Sequence, residues 1–157
     1  MYRDKRLAVV VPAFNEDDHI RATLNGIPAF VDSVYVVDDA STDCTREIVR
    51  ECAVDDPRVK CLRHGENRGV GAAIVTGYEQ ALADAIDIVA VMAGDNQMEP
   101  QWLSILVDPV AEGRADYAKG TRLTQLAHLR GMSALRVTGN VILRGLTAIA
   151  SGNWRIT

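Results

Sequence analysis

The stretch Leu7–Glu16, LAVVVPAFNE, decides the class of fold. Leu7 to Val11 is an unbroken apolar run rich in β-branched side chains. A strand with one wet face alternates apolar and polar residues, whereas a strand covered on both faces reads as a continuous run like this one. Pro12 cannot donate to a ladder and closes the strand. After Asn15 and Glu16 the apolar residues Ile20, Leu24 and Ile27 recur at helical spacing until Pro28, which predicts a helix directly behind the strand.

The same unit repeats outward along the chain. Val34 to Val37 predicts a second buried strand ending at Asp38-Asp39, and Asp43 is placed to cap a helix whose inner stripe is Cys44, Ile48 and Cys52. Val59 to Leu62 predicts a third strand. Beyond the loop containing Gly69 and Gly71, Val70, Ala73, Ile74, Gly77, Tyr78, Ala81 and Leu82 form an apolar helical stripe. Ile86 to Met92 reads as a strand, Gln101 to Ala111 as a helix and Tyr117 to Ala118 as a short strand. Strands alternating with helices imply right-handed crossovers and a mainly parallel sheet with helices on both faces, an α/β fold. No repeat, linker or low-complexity segment divides residues 1–157, so one domain is expected.

Composition excludes most other classes. The chain is 48% hydrophobic, carries a formal charge of −4 and has no apolar run approaching the ~18 residues of a membrane span. Cys44, Cys52 and Cys61 lack metal or redox spacing, and MYRDKR opens no secretory signal, so a reducing, cytoplasmic setting is expected. Net negative charge and few aromatics argue against a nucleic-acid partner. The charge is uneven: residues 1–117 hold 11 basic and 21 acidic groups, and residues 118–157 hold six basic and none acidic. A basic end on an acidic body points to an anionic partner there, or to a solvated helix face.

In parallel α/β sheets ligands sit outside the carboxyl ends of the strands. Four polar clusters fall there: Pro12 to Glu16, Asp38 to Asp43, Arg63 to Gly71, and Ala93 to Gln97. No Gly-x-Gly-x-x-Gly follows the first strand and no P-loop occurs anywhere, which sets aside dinucleotide and P-loop chemistry. Asp38 and Asp39, at a strand end, can accept hydrogen bonds from a ribose hydroxyl or a base N–H. Alternation turns Asp38 inward and Asp39 outward, and either can instead cap the following turn. Asp95 and Gln97 offer oxygens suited to Mg²⁺ or Mn²⁺, a sparse set that relies on substrate phosphates for the remainder, and the same loop also reads as a plain turn. His19, His64 and His128 are scattered and read as surface or structural residues, and Trp102 and Trp154 as core or acceptor-side residues.

Together VVVPAFNE (9–16), VVDDASTDCT (36–45), ENRGVGAAIVTGYEQA (66–81), AVMAGDNQMEP (90–100) and AKGTR (118–122) resemble the family 2 glycosyltransferases, in particular the polyprenyl-phosphate (dolichol-phosphate) sugar transferase branch with its GT-A fold. The resemblance implies a Rossmann-like nucleotide-diphospho-sugar transferase domain that moves a hexosyl group, with inversion, from a nucleotide-diphosphate sugar to a polyprenyl phosphate. It implies a nucleotide-sugar site formed by Pro12, Ala13, Phe14, Asn15, Glu16, Asp38, Asp39, Asn67, Arg68, Gly71 and Asp95. Asp95 and Gln97 would hold the metal and diphosphate, and Asp95 and Arg122 would act in catalysis. The first acidic residue of the family's Asp-x-Asp pair is replaced by Ala93, which weakens the expected metal site.

Nothing acidic follows Asp116, so a general base for a hydroxyl acceptor is not evident. Either the base lies in a segment absent from this chain, or the acceptor is an anionic phosphate that needs positioning cations instead, for which Arg122, Arg136 and Arg144 are candidates. Leu135, Ile142, Leu146 and Ile149 share one helical face, while Arg136, Asn140 and Arg144 follow at i, i+4 and i+8. That pattern predicts an amphipathic helix able to lie in an anionic membrane interface at the cytoplasmic face, to pack on the sheet, or to pair with a second copy. The family resemblance makes the end at Asn153–Thr157 read as a truncation on the acceptor side. Two other readings remain: transfer to a saccharide or protein hydroxyl, and a non-catalytic module that binds nucleotide or a partner.

Overall fold

Leu7, Ala8, Val9, Val10 and Val11 are all fully buried, as the unbroken run predicts, and form the central strand β1 (Leu7–Ala13), which does not stop at Pro12 as expected but stays in register with β2 through Pro12 and Ala13. A computed structural model describes residues 1–120, of which Met1–Ala118 form one compact unit. After β1 come α1 (Ile20–Gly26), β2 (Ser33–Asp38), α2 (Thr45–Asp55), β3 (Val59–Arg63), α3 (Val70–Ala83), β4 (Ile88–Val91), a 3₁₀ turn (Pro100–Trp102) and α4 (Leu103–Ala111). The sheet order is β3-β2-β1-β4 and every pairing is parallel, with Val9 opposite Val34 on one side and Ala90 on the other.

The period of two along β1 sorts the helices into two layers. Leu7, Val9, Val11 and Ala13 join Ile20, Leu24, Val49, Leu103 and Val107, so α1, α2 and α4 cover one face. Ala8 and Val10 join Tyr35, Val37, Ala73 and Ala81, so α3 covers the other. Helix α3 lies very close to the strand: a Cβ at Gly77 would stand 2.4 Å from Val10 Cγ1.

Several local expectations need correction. Cys44 is exposed at the start of α2, whose inner face is Thr45, Val49 and Cys52. On α3 the buried residues are the small Ala73, Gly77 and Ala81, whereas Val70, Tyr78 and Leu82 are exposed. Close approach through small residues narrows the contact and leaves the larger side chains outside it. The strand predicted over Ile86–Met92 shortens to Ile88–Val91, because β1 supplies partners only from Leu7 to Val10. Tyr117–Ala118 is no strand; among the described residues nothing pairs with the outer edge of β4. Trp102 is exposed and not part of the core. Arg122, His128, Arg136, Arg144 and Trp154, and the helix expected within 132–150, lie outside the described residues.

Candidate functional site

The sheet brings the four polar clusters to one rim. Ala13, last residue of β1, accepts the Asp39 N–H at 2.9 Å, and Asp38 accepts the His64 N–H through its carbonyl at 3.0 Å. The strand ends of β1, β2 and β3 are thus knitted together where their loops begin. The Asn15 N–H donates to Ser41 Oγ at 3.1 Å, and Thr42 N–H donates back to Asn15 Oδ1 at 2.9 Å. Glu16 N–H donates to Thr45 Oγ1 at 2.7 Å. On the other side of β1, Thr23 on α1 donates its hydroxyl to the Gly94 carbonyl at 3.0 Å, pinning the loop after β4.

These turns are tight. Asn15, Ala40 and Asn96 have φ of 55°, 63° and 55°, one left-handed residue after each of β1, β2 and β4. Side-chain residues in that region carry strain of about 1 kcal/mol or more, and such strain gathers where a loop must present particular groups. Asn tolerates the conformation because its amide can bond locally, whereas Ala40 has no such compensation.

Asp38 and Asp39 are both buried, contrary to the expected inward and outward alternation. The chain turns sharply at Ala40, so strand alternation no longer governs the second carboxylate. Asp38 caps that turn, its Oδ1 accepting Ser41 N–H at 2.9 Å; its Oδ2 has no hydrogen-bond partner among the described residues and lies 3.7 Å from Arg63 Nε. Asp39 accepts from His64 Nδ1 at 2.6 Å, Arg68 N–H at 2.9 Å and Gly69 N–H at 2.7 Å. Burial opposes its charge, but the Arg68 N–H, the His64 ring and the Gly69 N–H outweigh it and hold the carboxyl below the usual range. Asp43 does not cap α2 as expected, because the N-cap is Cys44, with no side-chain cap bond; Asp43 stands one residue earlier and secures the turn, accepting Thr45 N–H at 3.0 Å and Asp17 N–H at 3.3 Å.

Around these anchors the candidate binding side chains are presented outward. Phe14, Asn15, Asn67, Arg68 and Gly71 are exposed, Pro12 and Glu16 are half-buried, and Ala13 is buried under the rim. Burial, followed by the charge of Asp95, pushes the Glu16 carboxyl up; His19 opposes, and Asp43 adds the smallest push. The Asp95 charge, on the loop after the neighbouring strand β4, thus reaches Glu16. His64 is the residue that a linear reading undervalues: it is buried, with Nε2 2.9 Å from Thr76 Oγ1 on α3.

A divalent ion fits this rim only as a partial shell. Among the described residues no three His, Cys, Asp or Glu side chains gather to hold an ion by themselves. Ala93 contributes no side-chain oxygen, and Asp95 Oδ1 accepts the Gln97 N–H at 3.1 Å. One carboxylate completed by water and substrate phosphates is an ordinary arrangement for Mg²⁺ and related ions.

Residues 8–140 match the family described as Glycosyl transferase family 2. The chain belongs to glycosyl transferase family 2. Among curated relatives, the UDP-N-acetylglucosamine--dolichyl-phosphate N-acetylglucosaminyltransferase of Methanococcus voltae is 26% identical over 95% of this chain and 64% of its own length. Polyprenol monophosphomannose synthase of Mycolicibacterium smegmatis is 32% identical over 75% of this chain and 45% of its own. Among solved structures, mannosyltransferase PcManGT from Pyrobaculum calidifontis, in complex with GDP-Man and Mn²⁺, matches with a TM-score of 0.60 and 30% identity over 68% of this chain and 32% of that chain. This family 2 chain thus spans less than two thirds of the length of these relatives. Its four-stranded parallel sheet with helices on both faces is the GT-A arrangement of its structural neighbours.

Proposed function

We propose that this family 2 chain carries the donor-binding half of a glycosyltransferase that takes a sugar, with inversion, from a nucleotide-diphosphate sugar to a polyprenyl phosphate. The observation that carries the reading is the convergence of PAFNE, DDAS, Asn67–Arg68 and Asp95 on the rim at the ends of four parallel strands. Pro12, Phe14, Asn15 and Glu16 line the nucleoside end with Asp38 and Asp39 beneath them. Asn67, Arg68 and Gly71 form the adjoining loop, and Asp95 with Gln97 faces the diphosphate and its metal. Bound Mg²⁺ or Mn²⁺ supplies charge neutralisation for the departing nucleoside diphosphate. The chain's own residues orient the donor. Names of relatives that act on dolichyl or polyprenyl phosphates support a phosphate acceptor. Arg122, Arg136 and Arg144 are the proposed acceptor-side cations, and the setting is the cytoplasmic face of a membrane. Among the described residues no helix is long and apolar enough to cross one.

Calorimetric titration of GDP, UDP and their sugar conjugates, with and without Mn²⁺, tests the donor site. One nucleotide is expected to bind, more tightly with Mn²⁺, and Asp95→Ala is expected to remove the metal-dependent part. Ala93→Asp is expected to raise Mn²⁺ affinity in the absence of nucleotide, since it adds a carboxylate to a set that holds one. A folded sample that binds neither nucleotide would overturn the reading.

A further inference from the structure

Residues 64–69 link β3 to α3 and bear Asn67 and Arg68, yet only one of them, His64, is buried. The loop has no apolar anchor of its own. Gly65 through Gly71 are exposed, Gly69 has a φ of 85°, and among the described residues the Asn67 side chain bonds only within the loop, accepting Gly69 N–H at 3.1 Å. What ties the loop to the body is the Asp39 carboxylate, which takes the Arg68 and Gly69 amides, and Asp39 is itself met from below by the His64 ring.

We propose that His64 is a positioning residue for the donor loop: braced on Thr76, its ring holds the Asp39 carboxylate where it clamps the Arg68 and Gly69 amides. A carboxylate only accepts, so the ring donates Nδ1–H to Asp39, while Nε2 pairs with the Thr76 hydroxyl, which can serve as donor or acceptor. Every partner of the ring and of the carboxylate is then satisfied in a buried place, where an unpaired group is costly. The chain of contacts runs from the middle of α3 through β3 to the end of β2 and back to the loop preceding α3. Asn67 and Arg68 are thereby set at the rim by a buried relay and not by packing. The inference rests on the rim being the donor site, but the clamp can be read without nucleotide.

Asparagine and glutamine separate the two ends of the ring. An Asn amide nitrogen reaches the place of Nδ1, and a Gln amide nitrogen that of Nε2. His64→Asn is therefore expected to keep the Asp39 donor, and His64→Gln to lose it while staying near Thr76. Hydrogen exchange of the Arg68 and Gly69 amides in the full chain is expected to quicken about ten-fold in His64→Gln, the fold-change of one charge-assisted hydrogen bond, and to change little in His64→Asn. GDP or UDP affinity is expected to follow the same order. In the wild type, the Nδ1 proton is expected at a far-downfield NMR position that Asp39→Asn abolishes. Unchanged exchange in His64→Gln, or equal losses in both variants tracking the melting temperature, would overturn the relay and leave His64 a core filler. If His64→Gln does not fold, Thr76→Val, which frees Nε2, is the second probe, and unchanged exchange there overturns the proposal equally. Protection that follows the expected order in a chain that binds no nucleotide supports the clamp and removes the donor-site reading. Nucleotide bound equally by all variants keeps the donor site and removes the role of His64.

Discussion

Ala40 holds a left-handed backbone directly after the two buried carboxylates, with a φ of 63°. Glycine would relieve that strain at a smaller cost in unfolded-state entropy. Ala40→Gly is accordingly expected to stabilise the chain by about 0.5–1 kcal/mol, read from urea denaturation. The ionisable groups act in opposite directions. Hydrogen bonds from Lys60 and Tyr35 hold the Asp84 carboxyl down at about 2, and Asp39 is also held low. Depressed carboxyls add stability that is fully present above the unfolded value near 3.9 and is lost as pH falls through the folded value. Unfolding free energy is therefore expected to fall between about pH 5 and pH 2, with a shallower slope in Asp84→Asn. Glu16 is raised, so its ionised form opposes folding once pH passes its folded value. Glu16→Gln is expected to stabilise the chain at pH 7 while weakening nucleotide binding, a split that paired melting and calorimetry can detect.

At the scale of elements, the packing of α3 on β1 is the most sensitive contact. With 2.4 Å between the built Cβ and Val10 Cγ1, Gly77→Ala must push the helix off the strand. A loss of about 1–3 kcal/mol is expected, typical of overpacking. Val10→Ala is expected to recover part of it in the double variant, a coupling that a double-mutant cycle measures. The strands were legible because LAVVV and VYVV are continuous apolar runs, and the rim followed because polar clusters stood at their ends. The role of His64 was not legible, since its partners Asp39 and Thr76 are 25 and 12 residues away and meet it only through parallel pairing. Nor was the narrow footing of α3: Tyr78 and Leu82 carry the same helical period as Ala73 and Ala81, and only the close approach at Gly77 tells inside from outside. The burial of Asp39 escaped for a third reason, the left-handed turn at an alanine, a residue that gives no sign of such a conformation.

Across the whole molecule the charge divides the chain into an acidic body of −10 and a basic end of +6. If that end meets anionic lipid, co-sedimentation with phosphatidylglycerol vesicles is expected at 0.1 M salt and lost at 1 M, as the screening length falls from about 10 Å to about 3 Å. Binding that ignores salt would point to apolar insertion instead. The order β3-β2-β1-β4 has a metric consequence of its own. Neighbouring strands stand about 4.8 Å apart, so the turns after β2 and β4 are separated by about 10 Å, one strand lying between them. Backbone hydrogen bonds set that interval, and no loop can stretch it. The sheet thus works as a gauge graduated in strand widths: a ligand whose two ends sit at Asp38–Asp39 and at Asp95 is selected by its span before any side chain has read its chemistry.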